Sequence, residues 1–200
     1  MRDYYINALF PTPIYNSKVE LTSELTLLKS MEFKKSAQNY VETTLNQNLL
    51  NAPAFSALKS QVDSHVETYV RECLHINSKQ KFRMIKSWGV RTQESEESGS
   101  HSHGNSIFSG VVYLQTPENS GNPNFFRLGG LLSQNIIFDF DEYNIFNSHA
   151  WEFDVKELEI YIFPSDVNHM VCENKSTEER YSIAFDYWLH EGFAGITNSN

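Results

Sequence analysis

Cysteine is scarce in this chain: Cys73 and Cys172 are the only two in 200 residues, and they stand far apart in unrelated contexts. That argues against a disulfide framework and for reduced thiols in a cytoplasmic compartment. Long apolar runs are missing as well. No stretch approaches the roughly 20 residues of a membrane span, and the opening "MRDYYINALFPTPIY" is broken by polar residues and prolines where a signal peptide would need an apolar core. Positive charge is in deficit, with 16 Lys and Arg against 25 Asp and Glu and a net charge of -9. No Lys/Arg cluster with interleaved aromatics offsets it, so direct binding of nucleic acid is not expected, nor is a membrane partner. The chain also lacks internal repeats and any linker that would split it. With 40% hydrophobic and 14% aromatic residues, residues 1–200 are expected to fold as a single domain with a substantial core.

The patterning then divides into a helical part over about 20–75 and a β-rich part over about 81–190. "NALFPTPIY" reads as an extended edge element with Leu9, Phe10, Ile14 and Tyr15 packed inward around Pro11 and Pro13. "LTSELTLLKSMEFKKSA" predicts a helix, with Thr22 or Ser23 as N-cap and Leu25, Leu28 and Met31 spaced three apart. "APAFSALKSQVDSHVETYVREC" predicts a second, with Phe55, Leu58, Val62, Val66, Tyr69 or Val70 and Cys73 on one stripe after Pro53. From Lys81 on, "KFRMIKSWGVRT", "SIFSGVVYLQT", "PNFFRL", "QNIIFDF", "AWEFDV", "ELEIYIF", "VNHMVC" and "RYSIAFDYWL" predict about eight short strands. The expected architecture is mainly β, a double-sheet jelly roll with the N-terminal helices packed on one face. "QESEESGS" is a polar loop, and Trp88, Trp151 and Trp188 read as core fillers.

The histidines carry the chemistry. In an extended chain residues i and i+2 project to the same side, so His101 and His103 can face one point, four residues before the apolar strand "IFSGVVYL". His169 begins a strand that returns antiparallel to "EIYIF" after the turn at Pro164-Ser165. Arg180 and Ser182 share one face of the next strand, a ready-made carboxylate clamp with a guanidinium fork and a hydroxyl donor. Ile183 and Phe185 stand an odd number of residues from Arg180 and so face the other way. The plainer readings are a solvated Ser/His loop, a core histidine satisfied by a carbonyl, and a surface ion pair between Arg180 and the adjacent Glu178 and Glu179. His65, His149 and His190 read as non-ligands.

Taken as an ordered set, His101-x-His103 before "SGVVYL", "FPS" before His169, and Arg180-x-Ser182 resemble the iron(II)/2-oxoglutarate-dependent oxygenase superfamily. The likeness is greatest to a group of small oxygenases of bacteria and phages, and runs from about Ala8 to Tyr187 through "LFPTPIY" and the Trp of "KSWGV". It implies a double-stranded β-helix, a cupin-like fold, that binds Fe(II) and 2-oxoglutarate and uses dioxygen to hydroxylate a substrate while the cosubstrate is decarboxylated to succinate. It implies His101, His103 and His169 as metal ligands, Arg180 and Ser182 on the distal carboxylate of 2-oxoglutarate, and Tyr113 as a further hydrogen bond to it.

The chain departs from the family's H-x-(D/E)…H pattern, because His103 stands where a carboxylate is usual. Either three histidines hold the iron, or His103 and His169 do so with His101 behind them and Glu97, Asp166 or water completing the site. The departure also leaves open a non-catalytic jelly-roll binding or structural module, and a cupin-type enzyme in which Arg180 has no task. The substrate, a small molecule or a protein side chain, would be chosen by the loops at Gln93–Ser100, Thr116–Pro123 and Asp139–Ala150. Exposed sheet edges are compatible with a homodimer.

Overall fold

The computed structural model describes residues 5–36, 40–127 and 139–191. In chain order these form β1 (Tyr15–Lys18), α1 (Glu24–Lys29), β2 (Phe33–Lys35), β3 (Glu42–Thr44), α2 (Ser56–Thr68), β4 (Phe82–Thr92), β5 (Ser98–His101), β6 (Phe108–Gln115), β7 (Pro123–Phe126), β8 (Ala150–Glu152), β9 (Glu159–Pro164), β10 (His169–Val171) and β11 (Arg180–Leu189). Their strands make a seven-stranded sheet in the order β1-β9-β6-β11-β4-β3-β2 and a four-stranded sheet in the order β5-β10-β7-β8. Neighbouring strands run antiparallel. This is the two-sheet jelly roll with helices on one face that the sequence predicts. Of the expected strands, "QNIIFDF" falls largely on 134–138, outside the described residues.

Period-2 alternation sorts the large sheet into two faces. One face presents Met84 of β4, Val112 and Leu114 of β6, Ile160 and Ile162 of β9, and Ile183 and Phe185 of β11. Helix α2 covers it with Leu58, Val62 and Val66, each four residues from the last, and with Tyr69 beyond its end. Pro53 opens the short 3-10 turn ahead of α2, and the helix closes in a π-turn over Tyr69–Cys73, where the Leu74 amide donates to the Tyr69 carbonyl at 3.0 Å. The opposite face carries Val111, Tyr113, Tyr161 and Phe163 toward the small sheet, where Phe125 and Val167 meet Phe163.

Two N-terminal expectations are corrected. The first helix spans only Glu24–Lys29; the Ser30 amide closes it on Leu27 and Thr26, and Phe33–Lys35 pairs with β3 instead. Phe33 gains more as a strand residue, edge-on to Tyr181 at 6.2 Å with the Arg91 guanidinium 4.6 Å above its ring, so tertiary contact overrides helical spacing. Upstream, the strand begins at Tyr15 and not in the proline-flanked segment: Leu9 is 76% and Phe10 95% exposed. Fixed proline φ angles and missing N–H donors keep that segment off the sheet.

Gly110 of β6 lies directly opposite Phe185 of β11. A Cβ there would fall 2.3 Å from the Phe185 ring and 2.5 Å from the Tyr161 carbonyl oxygen. The sheet therefore closes over Phe185 only because this residue has no side chain. Gly110→Ala is expected to destabilise the fold by about 1–3 kcal/mol, read as a lower denaturation midpoint in urea; a midpoint equal to that of the parent would contradict the assigned register.

Candidate metal centre and its cleft

Two strands and the connection after one of them bring the histidines together. His101 ends β5 and His169 begins β10, and the two are register partners across the small sheet. His103 lies two residues past the end of β5, and its amide donates to the Ser165 carbonyl at 2.9 Å, which fixes the chain against the turn between β9 and β10. The ring centroids are 4.4 Å apart for His101 and His169, and 5.3 Å for each of the other pairs. Their ligand nitrogens all lie within 4.8 Å of one another, a group that could hold a metal ion.

Each ring is held through Nδ1. His101 bonds the Gly99 carbonyl at 2.7 Å, His169 the Val167 carbonyl at 3.0 Å, and His103 the Asp186 carboxylate at 2.6 Å. Carbonyls and carboxylates only accept, so Nδ1 carries the proton in all three and Nε2 is left as a lone-pair donor. Burial, with the neighbouring His101, pulls His169 down to about 3, and burial also lowers His101. Both rings are therefore neutral at physiological pH, the state that a metal needs. The carbonyl that satisfies His169 is thus compatible with a ligand's role and does not compete with it.

At the far end of the same cleft stands Arg180, 3% exposed. Its Nη1 donates to the carbonyls of Ser120 and, at 2.9 Å, Gly121, and its Nη2 to Thr92 Oγ1 at 3.1 Å. No carboxylate among the described residues pairs with it, and burial lowers its pKa. The sequence alternative of a surface ion pair with Glu178 or Glu179 is overturned: Glu179 is instead near Arg91 at 3.8 Å. Gly121, at φ +85°, lets its segment pack against the backbone at Cys172, since a Cβ there would fall 2.1 Å from the Cys172 carbonyl oxygen. Ser182 lines the cleft beside Arg180, and its register partner Tyr113 does so from β6. The Tyr113 hydroxyl, pushed up to about 12 by burial, makes no hydrogen bond to a described residue.

All six residues singled out in the sequence therefore line one cleft, whose empty space including its open mouth is about 680 Å³. Glu97 and Asp166 are exposed and stand outside the histidine group. The sequence reading missed three residues. Asp186 is buried at 6% exposure and accepts from both His103 and, at 2.7 Å, Ser109, whose hydroxyl also bonds that of Ser165 at 2.8 Å. Its signal was legible, an acid inside "SIAFDYW" in phase with Arg180 and Ser182. Thr92 gave no such signal. Trp88 is half-buried and lines the cleft 5.7 Å from the His103 ring, so it is no core filler, and Trp151 is 42% exposed.

A sequence-family profile described as "Putative 2OG-Fe(II) oxygenase" matches residues 86–186, just over half of the chain. The chain belongs to this oxygenase family. As such it is an enzyme whose cofactors are Fe(II) and 2-oxoglutarate. Solved oxygenases share its fold at low identity. A 2OG-Fe(II) oxygenase family oxidoreductase from Burkholderia pseudomallei is 13% identical with a TM-score of 0.60, over 84% of this chain and 77% of that one. HygX from Streptomyces hygroscopicus, solved with nickel, 2-oxoglutarate and hygromycin B, is 12% identical with a TM-score of 0.58, over 88% and 82%. A Trichoplax adhaerens prolyl hydroxylase, solved with a hypoxia inducible factor peptide, is 13% identical with a TM-score of 0.60, over 93% and 87%. No curated protein sequence matches the chain. Among the described residues no helix is long and apolar enough to cross a membrane.

The oxygenase's residues fit both cofactors. Neutral imidazoles with bare Nε2 atoms suit Fe(II), and a buried guanidinium lacking a carboxylate suits a diacid. One pH consequence follows from His169, whose pKa is near 6.5 in the unfolded chain and about 3 in the folded one. Between those values the unfolded chain binds the proton and the folded apoprotein does not, so stability is complete above pH 6.5 and is lost as the pH falls toward 3. The expected slope from this ring is at most about 1.4 kcal/mol per pH unit, and His169→Gln should flatten it in urea melts of metal-free protein at pH 4–7.

Proposed function

We propose that this oxygenase is a hydroxylase of a small-molecule or protein substrate, in which His101, His103 and His169 hold Fe(II) while Arg180, Ser182 and Tyr113 receive the distal carboxylate of 2-oxoglutarate. One observation carries the reading: a buried guanidinium with no carboxylate partner among the described residues lines the same cleft as three imidazoles whose ligand nitrogens lie within 4.8 Å of one another. On β11, Arg180 and the His103-holding Asp186 are six residues apart, about 20 Å of strand. Ser182 and Ala184, which lie between them on the strand, line the cleft. On this reading a short diacid that chelates the metal would present its other carboxylate to the guanidinium.

Iron, when bound, supplies the chemistry by which dioxygen cleaves 2-oxoglutarate to succinate and carbon dioxide and leaves one oxygen atom for the substrate. The protein's residues orient and shield. Arg180, already fixed by three protein acceptors, offers its remaining N–H groups without paying reorganisation at binding. Ser182 and the Tyr113 hydroxyl, which bonds no described residue, add neutral donors, and the raised pKa of Tyr113 keeps it protonated. Phe125, Phe163 and Val111 line the cleft and keep water away from the reacting centre.

The test is an anaerobic titration of apoprotein with Fe(II) and 2-oxoglutarate, followed by visible absorption. A metal-to-ligand charge-transfer band is expected, and it should vanish in His103→Ala and His169→Ala. Arg180→Lys keeps the charge but loses the fork, and should weaken 2-oxoglutarate on the order of 10- to 100-fold with Fe(II) affinity retained. A folded protein without the band would end this reading.

A further inference from the structure

The candidate iron site has a charge problem that the rest of the cleft does not solve. Three neutral imidazoles bring no negative charge to a dication, whereas the two-histidine, one-carboxylate arrangement of non-heme iron sites brings one. No carboxylate belongs to the ligand group among the described residues. A dication enclosed by neutral ligands retains more of the cost of leaving water.

One buried carboxylate lies against this group without joining it. Asp186 accepts the His103 Nδ1–H in a close contact of 2.6 Å. Its other described hydrogen bond is from the neutral Ser109 hydroxyl, to the same oxygen. No Lys or Arg forms an ion pair with it among the described residues, although Lys86 is its register partner on β4; the Lys86 ammonium sits 4.3 Å over the Trp88 ring instead. Among the described residues the carboxylate therefore faces no ionic partner except the ring of His103 and whatever that ring holds.

Resting on the reading of the three imidazoles as iron ligands, we infer that Asp186 is a positioning residue that supplies the site's negative charge through His103. His103 and Asp186 together take the place of a carboxylate ligand. The carboxylate pulls on the Nδ1 proton, which raises electron density at Nε2 and makes His103 a stronger donor than the two rings bonded to carbonyls. The departure from the usual pattern is on this account a relocation of the charge by one residue.

Charge and shape separate in Asp186→Asn, which keeps an oxygen acceptor for His103 and removes the anion. Fe(II) affinity of the full chain, measured anaerobically against a coloured chelator, should fall about 10- to 100-fold, and the charge-transfer band with 2-oxoglutarate should move to shorter wavelength because the iron is less electron-rich. Putting the carboxylate into the ligand position, His103→Asp with Asp186→Asn, should recover much of the affinity. His103→Asp alone sets two carboxylates against each other and should bind Fe(II) no more tightly than the parent; this arm stands even if Asp186→Asn fails to fold. Parent-like affinity and an unmoved band in Asp186→Asn would reduce the contact to a structural hydrogen bond, and tighter binding by His103→Asp alone would equally overturn the inference. If the parent chain forms no band, the iron reading fails; if the parent forms it and the variants behave alike, only the role of Asp186 fails.

Discussion

Everything in the site depends on the two-sidedness of β11. Its odd-numbered residues, Ile183 and Phe185, are locked into the helix-facing core, and this leaves Arg180, Ser182 and Ala184 lining the cleft, with Asp186 in phase with them against the His103 ring. A slip of one residue against β4 or β6 would exchange the two sets and put a guanidinium and a carboxylate into the helix interface. The hydrophobic contacts of Phe185 over Gly110 therefore set the positions of charged groups on the other side of the same strand.

The cleft is organised by charges that the fold leaves without ordinary partners. Burying an ion is tolerated when something pairs with it, and breaking such a pair is costly. Here the cation at one end meets carbonyls and a hydroxyl, and the anion at the other end meets a histidine and a serine hydroxyl. Among the described residues two buried charges of opposite sign are thus left without ordinary partners, and on the proposed reading a divalent metal with a dicarboxylate would complete both. Neutral aromatic walls between them lower the local dielectric and strengthen both attractions.

How much of this was legible depended on how local the signal was. Strand alternation survives in the sequence, so β4, β6, β9, β10 and β11 were found with nearly their final bounds, and α2 was found from its four-residue spacing. The H-x-H pair, His169 and the Arg-x-Ser pair were visible as types in an order. β5 was read as part of a polar loop because Ser98–His101 has almost no apolar residues; it is a strand only because β10 lies beside it. Phe33 and the Leu9-Phe10 segment were misassigned for the same reason, since their fates turn on contacts distant in sequence. Asp186 was readable as an anomaly in an apolar strand, but its partner His103 is 83 residues away. The carbonyls of Ser120 and Gly121 could not have been found, because a backbone acceptor leaves no mark on residue type, and Thr92, which accepts through its hydroxyl, lies 88 residues from Arg180.

Those two carbonyls tie the cleft to its rim. The segment Thr116–Pro123, a surface connection between β6 and β7, is joined to Arg180 by the hydrogen bonds from Nη1. Arg180 is thus shared between a loop and whatever occupies the floor of the cleft. Linkage is reciprocal: if filling the cleft steadies the loop, then anything that grips the loop from outside tightens the occupant by the same factor. If Arg180 holds the cosubstrate as proposed, a change made in this loop would carry a change in cosubstrate affinity with it.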